Sequence, residues 1–224
     1  MNGNEVMTQP FEIKDCALIA LATGERAQNL RELSDKVERI ETGSIYYHFW
    51  GGRLRARFDD PEYNNDFAAW ARHSLHDGIL AERLGAIDPT NYNNLEELRQ
   101  ELIEIIEQRL DESQYVPWAK TEDQFGFLTS QIVVFNTSRY IHEPGELVDI
   151  IPELSEGSIY YHFIDARRRT PGRLDDFSEW MSHFDSQYMS VLEKIAGVDP
   201  YFASLSEIRT QLSLIFLKHF RKQK

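Results

Sequence analysis

Gly43-Ser44-Ile45-Tyr46-Tyr47-His48-Phe49 is spelled out a second time as Gly157-Ser158-Ile159-Tyr160-Tyr161-His162-Phe163. These seven consecutive matches, at an offset of 114, anchor an ungapped alignment of residues 11–49 on residues 125–163. Upstream the identities are sparse: Phe11/Phe125, Thr23/Thr137, Glu32/Glu146, Leu33/Leu147 and Asp35/Asp149. Downstream, Asp66-Phe67-x-x-Trp70 answers to Asp176-Phe177-x-x-Trp180, His73 to His183, and Asp88-Pro89 to Asp199-Pro200. Leu95 and Arg99 then answer to Leu205 and Arg209. A repeat of this length governs how every other segment is read, because equivalent segments are expected to share one fold.

The chain is therefore read as a tandem duplication: copy 1 over 11–110, a polar connector over 111–124, and copy 2 over 125–221. Ala17–Ala22 is ambiguous alone, since Ala and Leu favour helix. Its counterpart Gln131-Ile132-Val133-Val134-Phe135 is short and β-branched, which favours strand. A lone strand leaves backbone groups unpaired, so the two copies are expected to pair their strands about a pseudo-two-fold axis in one intertwined body.

The remainder reads as helix. Asn29/Glu32, Asn94/Glu97 and Ser204/Glu207 have capping-box spacing, Pro144 fits a first helical turn, and Ser44 and Ser158 suit N-caps. Phe67, Trp70, Leu75, Leu80 and Leu84 suggest one long amphipathic helix. The expected fold is mainly α with a small β element (α+β), about four helices plus one or two strands per copy.

Composition bounds the function. The net charge of −13 argues against nucleic acid, whose phosphates need a surplus of Lys and Arg, and against an anionic membrane surface. The longest apolar run, Ala17–Ala22, is far short of the about 20 residues a spanning helix needs. The first ten residues lack a secretory pattern. A single cysteine, Cys16, excludes an internal disulfide or a multi-thiolate metal site, and a cytoplasmic location is expected. No phosphate-cradling Gly-rich loop, His-Glu-x-x-His or nucleophile elbow occurs, and no cofactor is expected.

Three sets of residues are candidates for chemistry. Tyr47, His48, Tyr161 and His162 either face a pocket as an acid–base pair or simply pack as core aromatics. On an ideal helix, Tyr47 falls opposite the arc of Ile45, Tyr46, Phe49 and Trp50. His48 with His73, and His162 with His183, are metal candidates, weakened by the absence of an i/i+4 ligand pair on either helix. Arg53, Arg55, Arg167 and Arg169 suit carboxylate or phosphate. They are equally suited to internal ion pairs with Asp59, Asp60, Asp175 and Asp176. These residues support a non-enzymatic module that binds an acidic small molecule or protein, in a monomer or homodimer. An enzyme using the Tyr/His site, metal-assisted or not, is the alternative, and a purely structural repeat protein is the second.

Ser44–Phe49, Asp66–Trp70 and Asp88-Pro89, with Ser158–Phe163, Asp176–Trp180 and Asp199-Pro200, resemble an uncharacterised prokaryotic family of unknown function, present here as two tandem copies. The resemblance implies no activity, ligand or functional residue.

Overall fold

The computed structural model describes residues 9–54, 62–112, 121–170, 172–184 and 186–221. Two long strands, β1 (Phe11–Ala27) and β2 (Phe125–Ile141), form a two-stranded sheet. After β1 come α1 (Leu30–Val37), α2 (Thr42–Trp50), α3 (Asp66–His73), α4 (Gly78–Gly85) and α5 (Leu95–Glu112). After β2 come α6 (Leu147–Ile150), α7 (Glu156–Ile159), a π-helical stretch over Tyr160–Asp165, α8 (Ala166–Arg169), α9 (Asp176–Met181), α10 (Met189–Ala196) and α11 (Leu205–Arg221). The protein is mainly helical with a small antiparallel sheet, an α+β architecture. No described helix is long and apolar enough to cross a membrane.

The chain divides into two compact units: Leu18–Ile132, and Met1–Ala17 with Val133–Lys224. Both divisions fall in mid-strand, so each unit holds half of β1 and half of β2. The 18–132 unit contains α1–α5; the other contains α6–α11. Within the 18–132 unit, Thr23 Oγ1 donates to the Phe127 carbonyl. Within the other, Thr137 Oγ1 donates to the Ile13 carbonyl and Asn136 Nδ2 to Glu12.

Gly24 (φ 86°) and Ser138 (φ 59°) both take left-handed backbone and stand 114 apart, so both strands bend at the same place. Gly adopts this conformation without steric penalty; Ser does so at a cost.

In the 18–132 unit, Leu30, Leu33, Ile45, Phe49, Phe67, Leu80, Leu102 and Ile106 are fully or almost fully buried. Every residue from Ser44 to Trp50 is buried. A helix buried on all sides is a central one, and Tyr47, opposite the apolar arc, is buried with the rest at 1% exposed. In the other unit Leu147, Ile159, Phe163, Phe177, Ile195, Ile208, Leu212 and Phe216 form the core. Arg99 donates to the Val37 carbonyl, and Arg209 to that of Leu154 at 2.8 Å. Each tethers the long last helix of its unit to an earlier segment, the end of α1 or the link between α6 and α7.

Two helical expectations are corrected. The long helix over Phe67–Leu84 is two, α3 and α4, because His76 takes φ 56° and Asp77 caps α4 by accepting from Leu80 N. Ser44 and Ser158 are not N-caps. Their helices begin earlier, after Glu41 and Ser155, and Ser155 Oγ accepts from Ser158 N at 2.9 Å. The capping at Asn29, Asn94 and Ser204 occurs as read, each accepting from the backbone N–H three residues on.

Candidate functional site

The repeated residues assemble two latches, each gripping the start of a strand. In the 18–132 unit, α2 presents His48, which is 3% exposed. Its Nε2 accepts from Leu128 N at 3.0 Å, and its Nδ1 lies 2.8 Å from Asp66 Oδ2 in the first turn of α3. Since Nε2 must keep its lone pair for the strand amide, the proton sits on Nδ1 and points at the carboxylate. One residue on, Phe67 stacks on Phe125 at 5.0 Å and 16°. Three further on, and so on the same helix face, Trp70 Nε1 donates to the Asp123 carbonyl at 2.7 Å.

In the other unit His162 Nε2 accepts from Lys14 N at 2.9 Å, and Nδ1 lies 2.8 Å from Asp176 Oδ2. Phe177 lies 5.4 Å from Phe11, and Trp180 Nε1 donates to the Gln9 carbonyl at 2.9 Å. Gln9, Phe11 and Lys14 stand 114 residues before Asp123, Phe125 and Leu128. Each buried ring stabilises by about 2–3 kcal/mol, and each strand group caught by a side chain by about 1 kcal/mol.

The conserved spacing also sets a close approach. A Cβ on Gly157 would fall 2.2 Å from Asp15 Oδ1 and 2.3 Å from the Cys16 carbonyl, whereas one on Gly43 would meet Thr129 Oγ1 at 3.0 Å. Cys16 Sγ donates to the Gly157 carbonyl at 3.2 Å. Burial, with Asp15 and Asp165 adding to it, pushes this thiol up to about 12, so it stays protonated and unreactive as a nucleophile.

Around the second latch lies a charged cluster that the repeat alone does not announce. Asp165, 2% exposed, bonds Arg168 at 3.0 Å and Arg169 at 2.9 Å. Arg169 also reaches Asp176 at 3.0 Å and lies 4.0 Å over the Tyr161 ring. Burial works against the Arg169 charge, but the bonds to Asp176 and Asp165 prevail and raise its pKa. Arg167 packs over Phe163 at 4.8 Å and lies 3.9 Å from Asp175. Burial lowers the Arg167 pKa and raises that of Asp175. Of the sequence candidates, Arg167 and Arg169 thus sit in internal ion pairs. The Asp165/Arg168/Arg169 spacing of three and four was the signal for this cluster.

The remaining candidates disperse. Arg53 lies 5.9 Å from the Trp50 ring; Arg55, Asp59 and Asp60 lie outside the described residues. His73 is exposed, 3.6 Å from Glu62, and His183 is exposed beyond the end of α9. Among the described residues no three His, Cys, Asp or Glu side chains are grouped to hold a metal.

An open groove of about 510 Å³ in the 18–132 unit is lined by Ala22, Gly24, Glu25, Glu122, Asp123 and Gly126, among others. In the other unit the places of Ala22 and Gly126 belong to Asn136 and Glu12, bonded to each other.

A model described as a family of unknown function (DUF5752) matches residues 8–217. The solved structure of OrfY from Thermoproteus tenax is similar in fold, with a TM-score of 0.81 at 24% identity, covering 95% of this chain and 96% of that one. No curated protein matches.

Proposed function

Given that the chain belongs to this family of unknown function, membership supplies no reaction, and we propose that the protein is a non-enzymatic interaction module. Its working surface is the outer halves of the two strands. The observation that carries this reading is apolar exposure. Ile19 and Leu21 are 48% and 45% exposed in one unit, and Val134, Phe135 and Tyr140 are 43%, 49% and 50% exposed in the other. Among the described residues each strand has only the other as a strand neighbour, and exposed apolar strands of this kind either recruit another chain or aggregate.

The Tyr/His enzyme reading has less support. Both ring nitrogens of His48 and of His162 already have partners within the protein. The anion-binding reading of Arg53, Arg55, Arg167 and Arg169 is likewise weakened by the carboxylates around Arg167 and Arg169. The repeated residues serve as seam, and the tandem duplication is part of this reading. It is supported by the 114-residue offset that relates the two histidines, their strand amides, both tryptophan acceptors and both bends.

Two double variants test the surface: Ile19→Asp with Leu21→Asp, and Val134→Asp with Phe135→Asp. Both should melt close to wild type, since the side chains are half exposed, yet lose the partner recovered with wild-type protein from its own cells. Identical recovered partners for all three proteins would sink the proposal.

A further inference from the structure

The latches define a recognition rule. Each reads the same four features of an extended segment: a carbonyl at position −2 (Gln9, Asp123) bonded by tryptophan, and a Phe at 0 (Phe11, Phe125) in an aromatic cage. An apolar side chain follows at +2 (Ile13, Phe127), both 1% exposed, and then an N–H at +3 (Lys14, Leu128) given to histidine. Two of the four are backbone groups, which any sequence supplies, so selectivity rests on the Phe and the apolar residue two further on. Strands caught in this way are read by main-chain bonds for affinity and by alternate side-chain pockets for specificity.

We propose that each latch is a strand-binding site for an extended Phe-x-apolar segment, that the two resident segments are interchangeable, and that a second copy of this chain can supply the segment in trans. The inference stands apart from the exposed apolar surface, because it concerns the gripped first halves of the strands. Three observations join in it. The gripped segments share the rule while differing at most other positions: 9–14 reads Gln-Pro-Phe-Glu-Ile-Lys and 123–128 reads Asp-Gln-Phe-Gly-Phe-Leu. Each segment is gripped by a unit whose helices belong to the other repeat. Finally, the chain enters each unit in mid-strand, and an element that every copy of the chain offers can be exchanged between molecules.

Two experiments on the full chain decide it. A reciprocal exchange variant carries 123–128 at 9–14 and the reverse; a control swaps only Phe11 and Glu12 (Phe11→Glu with Glu12→Phe), which keeps composition and moves the ring one residue off. The exchange variant is expected to melt cooperatively within about 5 °C of wild type, and the control more than about 10 °C below. Equal losses in the two variants, or none in the control, overturn interchangeability. Separately, wild-type protein is refolded from denaturant at about 1 μM and at about 100 μM and sized by light scattering. The higher concentration should trap a dimer that the lower one lacks, and that the Phe11/Glu12 control forms at least tenfold less. Monomer alone at both concentrations overturns supply in trans.

Discussion

Tyr47 and Tyr161 hold the same place in an identical heptapeptide, yet one is 1% exposed and the other reaches the surface under a guanidinium. The difference lies four residues on, at Gly51 and Asp165. The Tyr47 ring folds over Gly51, where even a Cβ would fall 2.4 Å from the ring. Asp165 stands at the equivalent position in the other unit. There the helix widens into a π-helical stretch, and Asp165 and Asp176 anchor Arg169 over the outward Tyr161. Such π-helical turns inside α-helices are rare. An identical motif therefore does not specify an identical surface; the residue one turn beyond the tyrosine, Gly51 or Asp165, does.

The sharpest way to break the comparison is at the glycine opening each motif. Gly157→Ala drives a methyl into strand backbone and should cost about 3 kcal/mol or more, whereas Gly43→Ala meets one hydroxyl and should cost about 1 kcal/mol. Equal denaturant midpoint shifts would show that the two close approaches are alike. Gly51→Asp imports the other unit's residue against Tyr47 and should cost about 2–3 kcal/mol. Tyr47 should then become accessible to nitration while Tyr161 reacts unchanged, and a silent variant would separate tyrosine placement from this position. His48→Phe and His162→Phe each remove the acceptor from a strand N–H, that of Leu128 or of Lys14, for about 2 kcal/mol apiece. Here the two latches must agree, so calorimetry showing one silent and one costly substitution would end their equivalence.

The thiol is a difference by design of sequence, since Cys16 answers to Ser130. Its proton is held more tightly in the folded chain, so its share of stability is intact below the ordinary thiol value of 9.0 and fades as pH climbs toward about 12. Cys16→Ser should flatten that alkaline decline, read as melting temperature against pH; parallel curves would refute it. The smallest effect is at the bends. Ser138→Gly should gain about 0.5–1 kcal/mol by relieving left-handed serine, and Gly24→Ser, where a Cβ would meet nothing within 4 Å, should lose about 1 kcal/mol through backbone strain alone, both read from denaturant midpoints.

Strand pairing was legible because Ile132–Phe135 leaves few alternatives to β structure, and its partner then followed from the repeat. Strand length was not, because Lys14, Asp15, Glu25 and Arg26 interrupt the apolar runs while still lying within the ladder. The break between α3 and α4 was written as Asp77-Gly78, but the apolar spacing from Phe67 to Leu84 ran straight across it. The histidines were found as residues, with core packing and acid–base chemistry both left open. Sequence shows the imidazole; only the fold shows the strand amide of Leu128 or Lys14 that occupies it. Asp165 escaped because the repeat draws attention to matches, and its meaning lies in a mismatch.

Trp180 closes on the carbonyl of Gln9 across 171 residues of chain, and His162 on Lys14 across 148. On a ribosome the N-terminal strand emerges well before the helices that grip it, since Trp180 and His162 are translated 171 and 148 residues after their strand partners. Contacts this distant fold slowly, and an apolar strand left waiting is open to misassembly. While the chain between strand and latch is being made, the strand stays unsheathed, an interval in which misassembly competes with folding.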